Sequence, residues 1–218
     1  MLLLKKIARL IFPPSARHFI ASCIPRVYRI NTIVLENPTL IEDLMPIEEN
    51  FTIRVVTKDD IDLLKIFHSH KGLKSFNHNL IPRLNAPEFI GLAAIDINSN
   101  EIAYLSWIII KSIPYFEEFG INMTQGDYLV KDIFVVPKYR HKGLSTRMEQ
   151  ERINYCVRRG VCKRIYTQPL HNNRKGNEAY VRLGYKLVQT NYLLRWYIFN
   201  VFRSLIGFLL NPFKKVLK

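Results

Sequence analysis

Residues 131–146, KDIFVVPKYRHKGLST, change character twice. Ile133, Phe134, Val135 and Val136 are β-branched or aromatic, the composition of a buried strand. Pro137 removes a ladder donor and ends regular pairing. Tyr139 to Lys142 form a basic turn, and from Gly143 the apolar spacing is helical to about Arg159. A strand, turn and helix in this order leave backbone N–H groups unpaired ahead of the helix. Those amides, with the charges of Arg140, His141 and Lys142, suit an anion such as a phosphate. Gly143 lets a ligand approach the backbone, because no Cβ stands in the way. The same residues also suit an ordinary solvated connection, since short Gly-containing turns are common.

Arg140-His141-Lys142-Gly143-Leu144-Ser145 resembles the R/Q-x-x-G-x-G/A signature of the GNAT superfamily of N-acetyltransferases. Ser145 stands where Gly or Ala is usual; it is still small, and its hydroxyl can donate to a phosphate. A later stretch, Asn173 to Tyr185, resembles the family's N-x-x-A-x-x-x-Y-x-x-x-G-F/Y motif, with Asn173, Tyr180, Gly184 and Tyr185 in the matching places. Gly176 replaces the usual Ala, which should weaken that helix by roughly 1 kcal/mol. The two motifs are separated by one helix and one strand, as in the family, and the resemblance covers residues 51–191.

The resemblance implies an α/β fold: a mixed, mostly antiparallel central sheet flanked by helices. It also implies acetyl-CoA as co-substrate. Phe134, Val135 and Val136 would lie beside the pantetheine arm, and backbone amides near Val135 and Val136 would face the thioester carbonyl. Arg140, His141, Lys142, Gly143, Leu144, Ser145 and Thr146 would hold the pyrophosphate, with Asn173 contributing from the later motif. Tyr180 matches the tyrosine that protonates the departing thiolate. A phenol with an ordinary pKa of about 10 can serve a thiolate of about 8.5. By position alone, Tyr180 also reads as a core-facing aromatic of an amphipathic helix. The general base expected on the central strand is Asp132. Some relatives carry Glu one position earlier, where this chain has Lys131. Strand alternation turns Lys131 and Asp132 to opposite faces, so His78, Glu117, Glu118 and a water chain compete with Asp132 for the role.

Composition bounds the rest. A chain of 218 residues forms one domain with a sizeable core and extra segments, and 48% hydrophobic content marks it as globular. Cys23, Cys156 and Cys162 are odd in number and lack metal spacing, which argues against a disulfide framework and suits a reducing cytosol. His68, His70 and His78 are not joined by cysteines or acids at ligand spacing, so no metal is expected.

The formal charge is +14. Six cations fall in residues 1–35 and five in residues 192–218, with no acid in either segment, so residues 36–191 carry only +3. Three regions are therefore expected: a basic amphipathic extension and linker (1–50), a GNAT-like domain (51–191), and a basic apolar C-terminal helix (192–218). Within the first, residues 1–12 have an amphipathic helical pattern, Ala16 to Cys23 read as a short helix, and residues 36–50 as an acidic linker or strapped-down arm. The C-terminal segment is apolar, but Arg195 and Arg203 cut it well below the roughly 20 residues a spanning helix needs. A helix lying at a bilayer surface fits it, as does one buried against the domain or a second copy in a homodimer; the paired cationic ends favour the membrane. Nucleic acid is disfavoured, because the cations are interleaved with Leu, Ile and Phe.

Periodicity predicts strands at 51–56, 89–97, 102–110, 127–136, 163–168 and 185–195. It predicts helices from Thr57 to Phe67, near Leu73 to Phe76, at 144–157, and from Asn172 or Asn173 to Leu183. Residues 98–101 read as a hairpin turn and Trp107 as an anchor of the sheet face. The expected function is transfer of an acetyl group from acetyl-CoA to a primary amine. The acceptor would be a small molecule or glycan, such as an amino sugar at the inner face of a membrane. Longer acyl-CoA or acyl carrier protein donors, and a non-catalytic coenzyme A sensor or scaffold, are the alternatives.

Overall fold

The computed structural model describes residues 26–70, 76–111 and 121–195. The expected helices at 1–12 and 16–23, the candidates Glu117 and Glu118, and residues 196–218 lie outside these. The chain divides into two compact units: Asn31–Asn191, and a second made of Met1–Ile30 with Tyr192–Lys218.

Seven strands form one sheet in the order β2-β3-β4-β5-β6-β1-β7. They are β1 (Arg26–Glu36), β2 (Phe51–Val55), β3 (Phe89–Asp96), β4 (Glu101–Ile109), β5 (Asp127–Val135), β6 (Arg164–Thr167) and β7 (Lys186–Arg195). The helices are α1 (Ile61–His70), α2 (Phe76–Asn85), α3 (Leu144–Arg158) and α4 (Arg174–Arg182). Strands β2 to β5 pair antiparallel in sequence order, β5 and β6 are parallel, and β6 pairs antiparallel with β1.

Two elements depart from expectation. Residues 26–36, placed in the N-terminal extension and linker with no strand expected, form β1, which inserts between β6 and β7 and pairs with β6 through Ile33↔Thr167 and Leu35↔Ile165. The segment VYRINTIVLE carries β-branched residues, but only its partner strand, far along the chain, reveals the pairing. α2 runs from Phe76 to Asn85, with Pro82 inside it, where no helix beyond Phe76 was expected; residues 73–75 of the short helix expected near Leu73 to Phe76 lie outside the described residues.

The core forms where the paired strands β3 and β4 pack against the helices. Ala93, Ala94, Ala103, Tyr104, Leu105 and Ile108 of these strands are fully or almost fully buried, and Trp107 is buried too. Leu64 and Phe67 of α1 and Leu144, Met148, Ile153 and Cys156 of α3 join the same cluster. Each large apolar side chain buried this way contributes about 1.5–3 kcal/mol. Thr57 caps the entry to α1 in a capping box: its hydroxyl accepts from Asp59 N–H, and its own N–H donates to Asp60 at 2.8 Å. Arg54 grips the same carboxylate at 2.5 Å and holds Asp60 below the usual carboxylate range. Among the described residues no helix is long and apolar enough to cross a membrane.

Candidate active site

β5 and β6 pair only from Asp127↔Arg164 to Val130↔Thr167. β6 then ends, whereas β5 runs on through Lys131 to Val135. The strands part, and a cleft of about 430 Å³ opens between them. Its walls are Val130 to Ile133 of β5, Ser145, Thr146 and Glu149 of α3, Thr167 to Leu170, and the α4 side with Asn173, Gly176, Ala179, Tyr180 and Leu183.

A β-bulge shapes the free edge. Trp107 pairs with Lys131 and Leu105 with Phe134, so Asp132 and Ile133 together oppose Ser106. Asp132 takes φ +53° there. The extra residue breaks the alternation expected of Lys131 and Asp132, and both line the cleft. Beyond the bulge, the Val136 N–H donates to Ala103 O at 2.9 Å. Hydrogen-bonding direction alternates along an antiparallel strand, so Val135 aims its N–H away from β4, toward the edge β6 has left. Of the two amides expected at a thioester carbonyl, that of Val136 is therefore spent inside the sheet, and that of Val135 is the one directed outward.

The turn after β5 is open. Tyr139 pins it from below: its hydroxyl donates to Asp96 at 2.8 Å and lies 3.0 Å from that of Ser99. The Tyr139 bond, with Ser99 and Asn98 also donating, depresses the Asp96 pKa. Arg140 Nε reaches back to Val135 O at 3.3 Å. His141 and Gly143 both take left-handed φ, +67° and +74°, on either side of Lys142. Among the described residues no acceptor reaches the amides of His141, Lys142, Gly143, Leu144 or Ser145. The first helical bonds run from Thr146 and Arg147 N–H to Gly143 O, at 3.0 and 3.1 Å. Five successive amides thus have no acceptor among the described residues, at the end of α3 where the helix places its partial positive charge.

An arm braces this helix from behind. Ile41 and Asn154 exchange bonds of 2.8 and 2.9 Å, Met45 N–H donates to Gln150 at 2.7 Å, and Arg147 donates to Met45 O at 3.0 Å. Glu48 pairs with Lys142 at 2.9 Å. The acidic stretch after β1 is therefore strapped along α3, one of the two readings its sequence allowed.

On the far wall, Asn173 caps α4 and accepts from Gly176 N–H at 3.3 Å. A Cβ at Gly176 would come within 2.5 Å of the Asn173 amide nitrogen, so an alanine here would require the Asn173 side chain to shift. Tyr180 meets Tyr185 edge to face, with ring centroids 5.1 Å apart. Burial raises its pKa, against the opposing pull of the Arg152 charge and a hydrogen bond with Thr167. Behind it lies a buried polar network that the sequence did not announce. Arg152 pairs with Glu149 and donates to the Tyr104 hydroxyl, and Tyr185 donates to Glu149 at 2.8 Å. Glu149 and Arg152 stand at i,i+3, but nothing in their spacing says that both are inside.

Asp132 pairs with Arg83 at 2.5 Å, and the Arg83 guanidinium packs 5.7 and 5.5 Å from the ring centres of Phe89 and Trp107. Lys131 donates to Gln168 Oε1 at 2.5 Å. Asp132, Ser145, Thr146, Asn173 and Tyr180 thus line one cleft. Arg140 to Leu144 form the turn beside it, and Phe134 to Val136 continue the strand above the bulge. His78 belongs to α2. Among the described residues no group of three His, Cys, Asp or Glu could hold a metal.

The sequence profile of the acetyltransferase (GNAT) family matches residues 59–185, more than half of the chain. This chain belongs to the GNAT acetyltransferase family. Solved structures agree at the level of the fold. A GCN5-related N-acetyltransferase from Sphaerobacter thermophilus shares 18% identity at a TM-score of 0.58, over 84% of this chain and 55% of that one. A tandem GNAT protein from the clavulanic acid biosynthesis pathway shares 10% at 0.56, over 83% and 58%. A glucosamine N-acetyltransferase region of a fungal multi-domain β-N-acetylglucosaminidase shares 12% at 0.58, over 83% and 22%. This chain spans little more than half the length of the first two. No curated protein matches it. The GNAT family carries out acyl transfer.

Proposed function

We propose that this chain is an acetyl-CoA-dependent N-acetyltransferase acting on a primary amine. The observation that carries the reading is the row of open amides from His141 to Ser145 beside a cleft lined by Tyr180. Those amides, with Arg140 and Lys142, would hold the diphosphate of the donor. Lys142 reaches it by exchanging Glu48 for phosphate. Val135 N–H, directed away from β4, would donate to the thioester oxygen as charge develops on it. Tyr180 donates a proton to the leaving sulfur, and its raised pKa keeps it protonated at neutral pH. Asp132 is held by Arg83, so service as general base requires that pair to open.

Calorimetry with acetyl-CoA is the direct test, followed by thiol release with a panel of primary amines. Binding is expected. Tyr180→Phe should retain it while turnover falls by about 10²-fold or more. Absence of binding to acetyl-CoA and to longer acyl-CoA would sink the reading. Binding without thiol release from any amine would instead favour a coenzyme A sensor. Amino sugars belong first in the panel, because a protein of this fold is named as a glucosamine N-acetyltransferase. A membrane-borne acceptor is the further part of the proposal, motivated by the cationic, apolar segments 1–12 and 192–218. Co-flotation of the full chain with anionic vesicles, and its loss on removing residues 192–218, would support it; no flotation would refute it.

A further inference from the structure

We infer that the free edge of β2 is a docking site for a partner protein, which adds an extended acidic segment to the sheet beside β2 and lays its side chains in the groove between β2 and α3. The inference goes beyond the acyltransferase reading and does not depend on it.

β2 is the outermost strand of the sheet, with β3 as its neighbour. The Val56 N–H donates to Gly91 O, and the Ile97 N–H to Asn50 O, each at 2.8 Å. With the register Phe51↔Asp96 to Val55↔Leu92, these bonds turn the backbone groups of Thr52 and Arg54 toward β3. Phe51, Ile53 and Val55 therefore aim N–H and C=O away from the sheet. Among the described residues the Arg54 guanidinium, 3.2 Å from Val55 O, is the one group that meets this row. Edge strands are ordinarily blunted by a proline, a bulge or a charge standing over the edge. β2 has no proline and no break in its register, and Arg54 is drawn to Asp60 at 2.5 Å.

A groove of about 390 Å³ lies alongside, between β2 and the C-terminal half of α3. Ile53, Val55 and Leu92 give it an apolar floor, and Tyr155 stands on the helix side. Ile53 and Val55 are half-buried whereas Thr52 and Arg54 are exposed, so the apolar side of β2 is the side turned to the groove. The charge around it is one-sided. Arg54 is matched by Asp60, and Glu151 by Arg147 at 2.9 Å. Arg158 and Arg159 are exposed at the rim, and among the described residues neither meets a carboxylate. Arg159 instead donates to the Tyr155 hydroxyl at 3.4 Å.

These features select the occupant. Open N–H and C=O groups at alternate residues are satisfied by a further strand, and pockets beside the edge read its side chains. An antiparallel second copy of β2 would place both α3 helices on one face and bring Arg158 and Arg159 toward their counterparts, like charge against like. An acidic extended segment instead sets carboxylates against both arginines and apolar side chains on the floor between them and β2. The site is distinct from the cleft: β3 and β4 separate β2 from β5, and the two cavities share no lining residue.

The probe is a fluorescent peptide of about eight residues, longer than the five of β2, with threonine at alternate positions and valine and glutamate taking turns between them. Full-length protein should bind it, read by anisotropy, at least about tenfold more tightly than the same peptide with lysine for glutamate. Arg158→Glu together with Arg159→Glu should reverse that preference. Bound peptide should slow amide hydrogen exchange at Phe51, Ile53 and Val55, and methylating the peptide's backbone nitrogens should abolish both binding and protection. Ile53→Pro removes an outward N–H and no bond to β3, and should weaken binding by a similar factor. The arginine variant, confined to exposed positions, decides the matter should the proline unfold the sheet. No binding, equal affinity for the lysine peptide, or binding without slowed exchange at β2 would overturn the inference. So would protection of β2 that rises with protein concentration in the absence of peptide, since a second copy would then hold the edge.

Discussion

Glu149→Ala should be one of the most damaging single substitutions in the chain. Arg152 is 1% exposed, its ion-pair partner is Glu149, and its Nε already lacks an acceptor among the described residues. Removing Glu149 leaves a buried guanidinium with the Tyr104 hydroxyl as its remaining side-chain acceptor, and strands the Tyr185 hydroxyl as well. Breaking one side of a buried ion pair costs about 3–5 kcal/mol. An orphaned buried hydroxyl costs about 1–3 kcal/mol more. Because the groups share one site the terms overlap, and a loss of about 4–6 kcal/mol is expected, out of the ~5–15 kcal/mol that holds a domain folded. Urea denaturation of the single variant, of Arg152→Met, and of Glu149→Leu with Arg152→Met measures it. The double variant removes both charges and keeps the volume, so it should lose less than Glu149→Ala, its residual cost being that of the Tyr104 and Tyr185 hydroxyls left without partners. A Glu149→Ala cost below about 1 kcal/mol, or a double variant as unstable as the two singles summed, would refute the reasoning.

Gly143→Ala meets no steric obstacle, since its Cβ would stand 3.7 Å from Met45 Cγ and Pro46 O. The left-handed φ of +74° should still cost about 1–2 kcal/mol of stability, and the methyl group should weaken acetyl-CoA binding, both measurable by thermal melting and calorimetry. Asp60, Asp96 and Asp127 all have depressed pKa values: Asp60 through Arg54, Asp96 through Tyr139, and Asp127 because Arg164 and Thr124 outweigh the effect of burial. Their stabilisation is fully present above the unfolded carboxylate value of about 4 and is lost as pH falls through the lower folded values. Denaturation followed against pH should show an acid limb below about pH 4, and Tyr139→Phe should make it shallower. Asn154→Ala removes both bonds to Ile41 and should speed hydrogen exchange in residues 37–48 without unfolding the sheet.

Much of the framework was legible in the chain. The strand at 127–135, the turn and α3 follow from β-branched residues, a proline, a glycine and helical spacing, all local properties. Asn173 as the cap of α4 and the hairpin at 97–100 are local as well. Insertion of β1 beside β6 was not, because a partner more than a hundred residues away leaves no local trace. The same holds for the Glu149–Arg152 pair: a helical Glu and Arg three residues apart look like surface charges until packing encloses them.

The sequence by itself determined the strand, turn and helix around Gly143 and which helix would carry Tyr180, because capping, turn chemistry and periodicity act over a few residues. Tertiary structure alone decided that β5 outruns β6, that a bulge at Asp132 turns two neighbouring side chains into one cleft, and that Lys131 meets Gln168 across it. Those outcomes depend on strand register, and register is set where separate segments pair and pack.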